Sequence, residues 1–212
     1  MPRSALLVGA TGLVGSALLK LLLDSPRYAR VDVWVRRALE IPHPKLTAKV
    51  VDFDRLGELR VDAEDVYCAL GTTIRTAGSK GAFRRVDCDY PLALARTAAR
   101  DGAQRILVVS SLGADSRSGM FYSRVKGEME ESVSEAGVPK ALFFRPSLLD
   151  GRRSEFRLGE RIGLLVGVVL GPLLGRYRPI HAGLVAAAML RAAEHDLPAG
   201  VFDSERIRKL VS

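Results

Sequence analysis

Tyr122 and Lys126 have the residue types and the spacing for acid–base chemistry. Positions i and i+4 lie on one face of a helix, so the phenol and the ammonium can approach each other. A free phenol is a poor base at neutral pH, but a nearby lysine charge stabilises the phenolate and makes proton transfer to or from a substrate oxygen feasible. Ser111 directly follows a strand-like run earlier in the chain, and its hydroxyl would orient the same oxygen. We therefore predict that Ser111, Tyr122 and Lys126 are catalytic; the alternative is a half-buried tyrosine beside a solvated lysine.

Glycines at a spacing of three, Gly9, Gly12 and Gly15, follow the apolar run 5–8 and open a leucine-rich helical stretch. A strand that enters a helix through a glycine turn lets backbone N–H groups hold a pyrophosphate. Gly9 would permit the tight turn, Gly12 the close approach of the phosphate, and Gly15 the packing of helix on strand. The spacing differs from the commonest G-x-G-x-x-G fingerprint, so an ordinary strand–turn–helix is the alternative. Its position directly after the first strand favours a dinucleotide site.

Arginines at the end of the second apolar run indicate which dinucleotide would bind. An acidic residue about 20 positions beyond the glycine turn holds a ribose 2′-hydroxyl in NAD sites, whereas arginine suits the 2′-phosphate of NADP. Arg36 lies 21 residues after Gly15, Arg37 follows it, and no Asp or Glu occupies this strand end. A guanidinium can bind such a phosphate bidentately and stack on the adenine. The sequence thus predicts NADP(H) as the cofactor, against the alternative of two solvated arginines.

Two further strand ends supply candidate cofactor contacts. At the first, Asp52 would accept a hydrogen bond from the adenine amino group, and Phe53 would pack on the edge of the base. At the second, Leu70 and Gly71 close the fourth strand, where a chain reversal over the cofactor needs a glycine and no bulky side chain.

The composition describes a globular protein and excludes wholesale disorder, with 48% hydrophobic and 26% charged residues in a chain of 212. The formal net charge of +8 comes from scattered basic residues, so nucleic-acid binding is not expected. Cys68 and Cys88 form no disulfide framework, and the three histidines show no metal-ligand spacing. The two cysteines fit a reducing compartment and no secretory leader is recognised, so we expect a cytoplasmic protein, without a bound metal.

The order of the apolar runs predicts an α/β fold. Strand-like runs at 5–8, 31–35, 48–51, 66–70, 106–110 and 141–144 are interspersed with helical stretches at 12–24, 84–100 and 122–135. The runs lack strict alternation, as expected for strands covered on both faces. We predict one Rossmann-type domain, 1–212, with a doubly wound parallel sheet. A small C-terminal helical cap would be formed by about residues 150–212, including a helix at 182–194 and a last strand and helix at 201–211.

An apolar, glycine-containing stretch at 162–175 lies within the predicted cap. It is too short to span a bilayer, which needs about 20 apolar residues. We predict a lid over the substrate pocket or the face of a homodimer, and a weak contact with a membrane surface is the alternative.

The ordered motifs resemble the short-chain dehydrogenase/reductase superfamily in its atypical or extended branch. The match is sharper to the HIV Tat-interacting-protein family of NADPH-binding, oxidoreductase-like proteins, over about residues 6–160. The motifs that carry it are Cys68-Ala-Leu-Gly-Thr-Thr73, Ala77-Gly-Ser79, Val86-Asp-Cys-Asp-Tyr90, Ser110-Ser-Leu-Gly-Ala-Asp115, Tyr122-Ser-Arg-Val-Lys-Gly-Glu128 and Phe144-Arg-Pro146. One departure is Asp87, which stands where many superfamily members carry a proton-relay asparagine.

The resemblance implies a Rossmann-type fold with a Ser-Tyr-Lys site and a set of cofactor contacts. By motif, these contacts are Thr11, Gly12, Leu13 and Val14 at the phosphates, Arg36 and Arg37 at the 2′-phosphate, Leu70 and Gly71 near a ribose, Tyr122 and Lys126 beside the nicotinamide ribose, Leu149 on the nicotinamide side, and Arg157 reaching back to the phosphates.

Two functions of different classes fit these observations. The first is an NADP(H)-dependent oxidoreductase that acts on a small carbonyl or alcohol substrate of unknown identity. The second is a regulator that senses NADPH and contacts a protein partner without turnover, because fold and cofactor do not establish a reaction. The intact Ser-Tyr-Lys set favours the enzyme, whereas the small cap favours the sensor.

Overall fold

A parallel sheet forms the centre of the computed structural model, which describes residues 3–150 and 178–212. The strands are β1 (Arg3–Val8), β2 (Tyr28–Val35), β3 (Leu46–Val50), β4 (Asp65–Cys68), β5 (Arg105–Val109), β6 (Lys140–Arg145), β7 (Leu149–Asp150), β8 (Ile180–His181) and β9 (Gly200–Asp203). Seven of them form one sheet in the order β3-β2-β1-β4-β5-β6-β9, and β7 pairs with β8 in a short second ladder. Every pairing in both sheets is parallel.

Helices connect the strands and cover the sheet. They are α1 (Leu13–Asp24), α2 (Ile74–Ala77), α3 (Lys80–Arg84), α4 (Tyr90–Arg100), α5 (Phe121–Ser134), α6 (Ala182–Glu194) and α7 (Ser204–Val211), with a 3₁₀ helix at Phe53–Glu58 and a π-helical turn at Arg85–Asp89. The strand order reverses between β1 and β4, and ligands of such sheets bind at the carboxyl ends of the strands beside this reversal.

The sheet is buried on both faces because its strands are apolar at consecutive positions. Leu7 points into a cluster formed with α1 and α6, whereas its neighbour Leu6 points into a second cluster with α4 and α5. Leu107 and Ile106 divide between the two clusters in the same way. The predicted Rossmann-type doubly wound sheet is therefore confirmed.

Residues 178–212, predicted as part of a cap, are integrated into the main body. Strand β9 pairs with β6, from Leu142 opposite Gly200 to Arg145 opposite Asp203. Helix α6 packs against α1 within the first cluster, so both elements cover or extend the sheet. The rest of the predicted cap, residues 151–177, lies outside the described residues.

The helix predicted at 84–100 is not a single α-helix. The N–H of Tyr90 donates to the carbonyl of Arg85, five residues back, so a π-helical turn separates α3 from α4. Such a turn takes up one extra residue, which helical periodicity in the sequence does not reveal.

A buried ionic cluster lies at the amino-terminal edge of the sheet, opposite the ligand-binding edge. The Asp65 side chain is 0% exposed and faces the guanidiniums of Arg105 at 3.2 Å, Arg27 at 3.3 Å and Arg3 at 3.6 Å. The Tyr28 hydroxyl donates to the same carboxylate at 2.7 Å. This carboxylate therefore joins β1, β2, β4 and β5 through one anion.

Candidate functional site

The glycine turn after β1 fits tightly against the segment that follows β4. Gly9 has φ +93°, and a Cβ there would lie 2.6 Å from the carbonyl carbon of Ala69. A Cβ on Gly15 would lie 2.0 Å from the Gly9 carbonyl oxygen, so α1 can approach the turn only with glycine at this position. The N–H of Gly12 donates to the same oxygen at 3.0 Å. Gly9 and Gly15 thus serve the turn and the helix packing that the sequence predicted.

The first turn of α1 offers backbone donors to an anion. Gly12 is the N-cap residue and makes no side-chain cap, and the first N–H groups of a helix have no partner within it. A Cβ on Gly12 would come no closer than 3.4 Å to its neighbours, so a phosphate oxygen could approach here. Thr11 is exposed, Leu13 is half-buried and the Val14 side chain is buried, which leaves the backbone of Val14 for contact.

The two arginines predicted to read the 2′-phosphate, Arg36 and Arg37, are exposed directly beyond the end of β2. Strand β2 neighbours β1, so both arginines lie at the same edge of the sheet as the glycine turn. Their exposure leaves the guanidiniums open to a phosphate, and their charge suits it.

Asp52 and Phe53, the two residues predicted to contact the adenine, differ in their exposure. Asp52 is exposed and its carboxylate accepts from the Asp54 N–H at 3.0 Å, which caps the 3₁₀ helix. Phe53 is buried and its ring lies 5.6 Å from the ring of Tyr90. The backbone of Phe53, rather than its ring, is therefore the part that could meet a base.

The segment after β4 is held by a buried carboxylate. Leu70 is half-buried and Gly71 is exposed, as a cofactor-facing turn requires. The N–H of Thr72 donates to Asp87 Oδ2 at 2.9 Å, and a Cβ on Gly71 would lie 3.6 Å from Asp87 Oδ1.

Ser110 and Ser111, at the end of β5, differ in what their hydroxyls do. Ser110 donates to the buried carboxylate of Glu130, which also accepts from Arg145 Nη2 at 2.6 Å. Within the described residues, Ser111 Oγ is buried and has no hydrogen-bond partner. A buried hydroxyl without a partner is costly, so Ser111 has the free donor expected of a group that binds a ligand oxygen.

Tyr122 and Lys126 lie one turn apart on α5, as their spacing predicted. Tyr122 is 39% exposed and its ring lies 5.3 Å from that of Phe83, which supports one side of the phenol. Lys126 is 4% exposed and its Nζ lies 2.8 Å from Asp87 Oδ1. Burial alone would lower the pKa of Lys126, but Asp87 and Tyr122 raise it above its usual value, so the ammonium stays charged.

Close packing fixes the position of α5. A Cβ on Gly127 would lie 2.1 Å from the backbone nitrogen of Ser116, so the loop after β5 rests directly on the helix. The N–H of Asp115 donates to the Ser123 carbonyl at 3.0 Å. These contacts hold the Ser111 loop beside the start of the helix that carries Tyr122.

The remaining predicted contacts fall at or beyond the end of the first described range. Leu149 is half-buried in β7, which leaves the sheet after β6. Arg157 and the 162–175 stretch lie outside the described residues. In the described ranges no group of three or more His, Cys, Asp or Glu residues could hold a metal ion, and no helix is both long and apolar enough to cross a membrane.

Sequence reasoning missed two buried carboxylates at or next to the predicted catalytic residues. Asp87 pairs directly with Lys126, although the two are 39 positions apart and no local spacing connects them. Glu130 holds Ser110 and Arg145, which come from two neighbouring strands. The signal in the sequence was that each carboxylate lies in a largely buried helical stretch. This signal does not indicate which residue each carboxylate contacts.

The sequence of this chain matches the NAD(P)H-binding family over residues 9–150. Protein HTATIP2 of Rattus norvegicus is 39% identical over 164 residues, which cover 74% of this chain and 67% of the relative. The mitochondrial protein fmp52 of Aspergillus clavatus is 32% identical over 210 residues, which cover 92% of this chain and 90% of the relative.

Solved structures share the fold. The Bordetella bronchiseptica enzyme WbmH in complex with NAD+ has a TM-score of 0.73 at 15% identity, over 96% of this chain and 76% of that one. Human epimerase family protein SDR39U1 with NADPH has a TM-score of 0.65 at 17% identity, over 94% of this chain and 72% of that one.

The expected cytoplasmic location is corrected by the fungal relatives. The relatives from Coccidioides immitis, Aspergillus clavatus and Aspergillus fumigatus are all named mitochondrial proteins. The paucity of cysteines, on which the expectation rested, separates reducing from oxidising compartments and does not distinguish the cytoplasm from other reducing spaces.

The glycine turn, the strand order and these matches agree with the resemblance inferred from the motifs. The chain belongs to the NAD(P)H-binding family, as a homologue of HTATIP2 with the fold of the extended short-chain dehydrogenases/reductases.

Proposed function

We propose that the chain is an NADP(H)-dependent oxidoreductase of the short-chain dehydrogenase/reductase type, acting on a carbonyl or alcohol substrate. The observation that carries this proposal is that, among the described residues, the buried Ser111 Oγ has no hydrogen-bond partner, in a loop that rests on the helix carrying Tyr122 and Lys126. A chain that only binds a dinucleotide has no need of an unsatisfied buried hydroxyl in the loop that packs on the helix of a Tyr-Lys pair.

The choice of NADP(H) over NAD(H) is supported by charge. Arg36 and Arg37 are exposed at the end of β2, where an acidic side chain would bind a ribose 2′-hydroxyl. The structure of human SDR39U1 with NADPH provides a relative in fold that takes this cofactor. The phosphates would lie at the first turn of α1, over Gly12.

The protein's part in the reaction is proton transfer and orientation. A nicotinamide bound at this edge would supply or accept the hydride. In the direction of reduction, Tyr122 Oη donates its proton to the substrate oxygen, and Ser111 Oγ donates a hydrogen bond to the same oxygen. The ammonium of Lys126 stabilises the phenolate that remains. In the direction of oxidation the same phenolate accepts the proton.

The test is turnover by the Tyr122→Phe variant. NADPH oxidation is followed by absorbance with a panel of aldehydes and ketones, and NADPH affinity is measured by fluorescence titration. Loss of the proton donor should lower kcat by about a hundredfold or more, while NADPH affinity stays nearly unchanged. The control is Tyr90→Phe, whose hydroxyl donates to Asp54 at 2.8 Å and takes no part in the proposed proton transfer, and it should retain turnover.

Two results would contradict the proposal. Retained turnover in Tyr122→Phe would remove Tyr122 from the catalytic role. Tight NADPH binding by the wild-type chain without turnover of any substrate in the panel would favour the second function, an NADPH sensor that contacts a protein partner.

A further inference from the structure

Asp87 is a buried carboxylate that the proposed reaction does not use. It is 1% exposed and sits in the π-helical turn between α3 and α4. Burial of a carboxylate is costly unless partners compensate its charge, so its surroundings indicate what it does.

Each oxygen of Asp87 contacts a different segment of the site. Oδ1 lies 2.8 Å from Lys126 Nζ on α5, and Oδ2 accepts the N–H of Thr72 at 2.9 Å in the turn after β4. Those two segments carry predicted contacts to the cofactor, Lys126 to the nicotinamide ribose and Gly71 near a ribose. One side chain thus fixes the relative position of two elements that are both predicted to meet the dinucleotide.

The π-helical turn places Asp87 where it can make both contacts. Asp87 and the adjacent Cys88 are both buried, and the Tyr90 N–H reaches back five residues to Arg85. Each residue advances an α-helix by about 100°. Without the extra residue of the π-helical turn, the Asp87 side chain would therefore point in another direction. Single π-helical turns of this kind occur frequently at functional sites.

Asp87 is the carboxylate that pairs with Lys126 among the described residues. The other titratable groups that interact with Lys126 are Tyr122 on the same helix, Cys68 at the end of β4 and Cys88 beside Asp87. Burial raises the pKa of Cys68 to about 11 and also raises that of Cys88, so both thiols remain neutral. The pair with Asp87 leaves the other N–H donors of the ammonium for a ligand.

We propose that Asp87 is a positioning residue that holds the Lys126 ammonium and the Thr72 turn in the arrangement that binds the cofactor ribose. It acts through Lys126 and does not itself touch the cofactor. The inference rests on the proposed function, because it takes an NADP(H) ribose as the ligand of Lys126. It also gives Asp87 a structural task that differs from a proton relay.

A double-mutant cycle tests this inference through cofactor affinity. The proteins are wild type, Asp87→Asn, Lys126→Met and the double variant, and NADPH dissociation constants come from fluorescence titration of each. Asp87→Asn removes the ion pair that holds the buried ammonium in place, so it should bind NADPH about ten- to a hundredfold more weakly. In the Lys126→Met background, the same change should cause no further weakening, because the ammonium is absent and the asparagine oxygen can still accept the Thr72 N–H.

A purely structural carboxylate gives a different pattern. Equal weakening by Asp87→Asn in both backgrounds, or no weakening in either, would overturn the inference. If Asp87→Asn does not fold, judged by thermal unfolding without cofactor, Asp87→Glu replaces it: this variant keeps the charge but displaces the ammonium, so its effect should also vanish without Lys126. Failure of the wild-type chain to bind NADPH would refute the proposed function instead.

Discussion

At the scale of single residues, neighbouring side chains of the same type have different tasks. Ser110 and Ser111 are adjacent, yet Ser110 is held by Glu130 whereas Ser111 Oγ has no partner within the described residues. Strand β5 ends at Val109, directly before both serines, and the Ser110 hydroxyl is directed to Glu130 on α5. Among the described residues it is thus Ser111, and not Ser110, whose hydroxyl is left for a ligand, and this supports its proposed role in orienting a substrate oxygen.

The arginines at the end of β2 give the first prediction at this scale. Arg36→Ala should weaken NADPH binding by about ten- to a hundredfold, because a charge-assisted hydrogen bond to the 2′-phosphate is lost. NADH has no such phosphate, so its binding should hardly change. Titrations with both cofactors measure the difference.

A matched control for Arg36→Ala is Arg60→Ala. Arg60 is also exposed but precedes β4, at the opposite edge of the sheet. Its removal should leave both affinities unchanged. Equal losses for NADPH and NADH in Arg36→Ala would show that this arginine does not read the phosphate.

Site residues were predictable from sequence where one local segment supplies both type and spacing. Tyr122 and Lys126 are such a case, because four positions on a helix fix their relation. Asp87 and Lys126 are not, since their contact depends on how two helices pack. Phe53 shows the same limit: its position after β3 was clear, but the burial of its ring depends on Tyr90.

At the scale of elements, helix α1 in the β1–turn–α1 unit approaches the turn so closely that there is no room for a side chain at Gly15. The Gly15 position lies against the Gly9 carbonyl, so any side chain there must push the helix from the turn. The sequence predicted this unit well, because glycine spacing and apolar runs are local signals. It predicted α3 and α4 poorly, because a π-helical turn leaves the apolar pattern nearly intact.

Gly15→Ala is the prediction for this element. A Cβ at 2.0 Å from a backbone oxygen requires α1 to shift. Overpacking of this kind costs about 1–3 kcal/mol of unfolding free energy, and NADPH affinity should fall with it. Denaturant unfolding and NADPH titration measure the two effects.

Gly57→Ala provides the comparison for Gly15→Ala. A Cβ on Gly57 would meet nothing within 4 Å, so neither stability nor affinity should fall. A Gly15→Ala protein as stable as Gly57→Ala, with unchanged affinity for NADPH, would mean that helix and turn can separate without consequence.

At the scale of the whole molecule, the two edges of the sheet have opposite characters. The carboxyl edge carries the candidate site, whereas the amino edge is closed by Asp65 and its arginines. Arg105 extends this closure to the C-terminal region, donating to the Ala193 carbonyl at 2.7 Å and facing Asp196 at 2.8 Å. This link explains why residues 178–212 belong to the main body, and no sequence pattern indicated it.

Asp65→Asn is the prediction for this edge. Removing this buried anion leaves Arg105, which is also buried, with the exposed Asp196 as its remaining carboxylate partner among the described residues. Breaking a buried ion pair on one side costs about 3–5 kcal/mol, so denaturant unfolding should show a loss of that size. NADPH affinity of the folded protein should stay unchanged, because the site lies at the other edge.

The matched control for Asp65→Asn is Asp62→Asn. The Asp62 side chain is 79% exposed and pairs with Arg30 on the surface. An exposed pair contributes about 0–1 kcal/mol, so the loss should be small. Comparable losses in the two variants would show that the buried cluster does not hold the edge together.

The contact between Gly9 and Ala69 also has a consequence for how the protein acquires its ligand during folding. The turn and the segment beneath it are sixty residues apart in the chain, and β2 and β3 come between them. Contacts of such long separation form slowly, because the intervening chain must first lose its freedom. The dinucleotide site therefore exists only once β4 has joined β1. A ligand that binds there stabilises the completed sheet by mass action. It does not bind a partly folded chain, because the site is not yet formed.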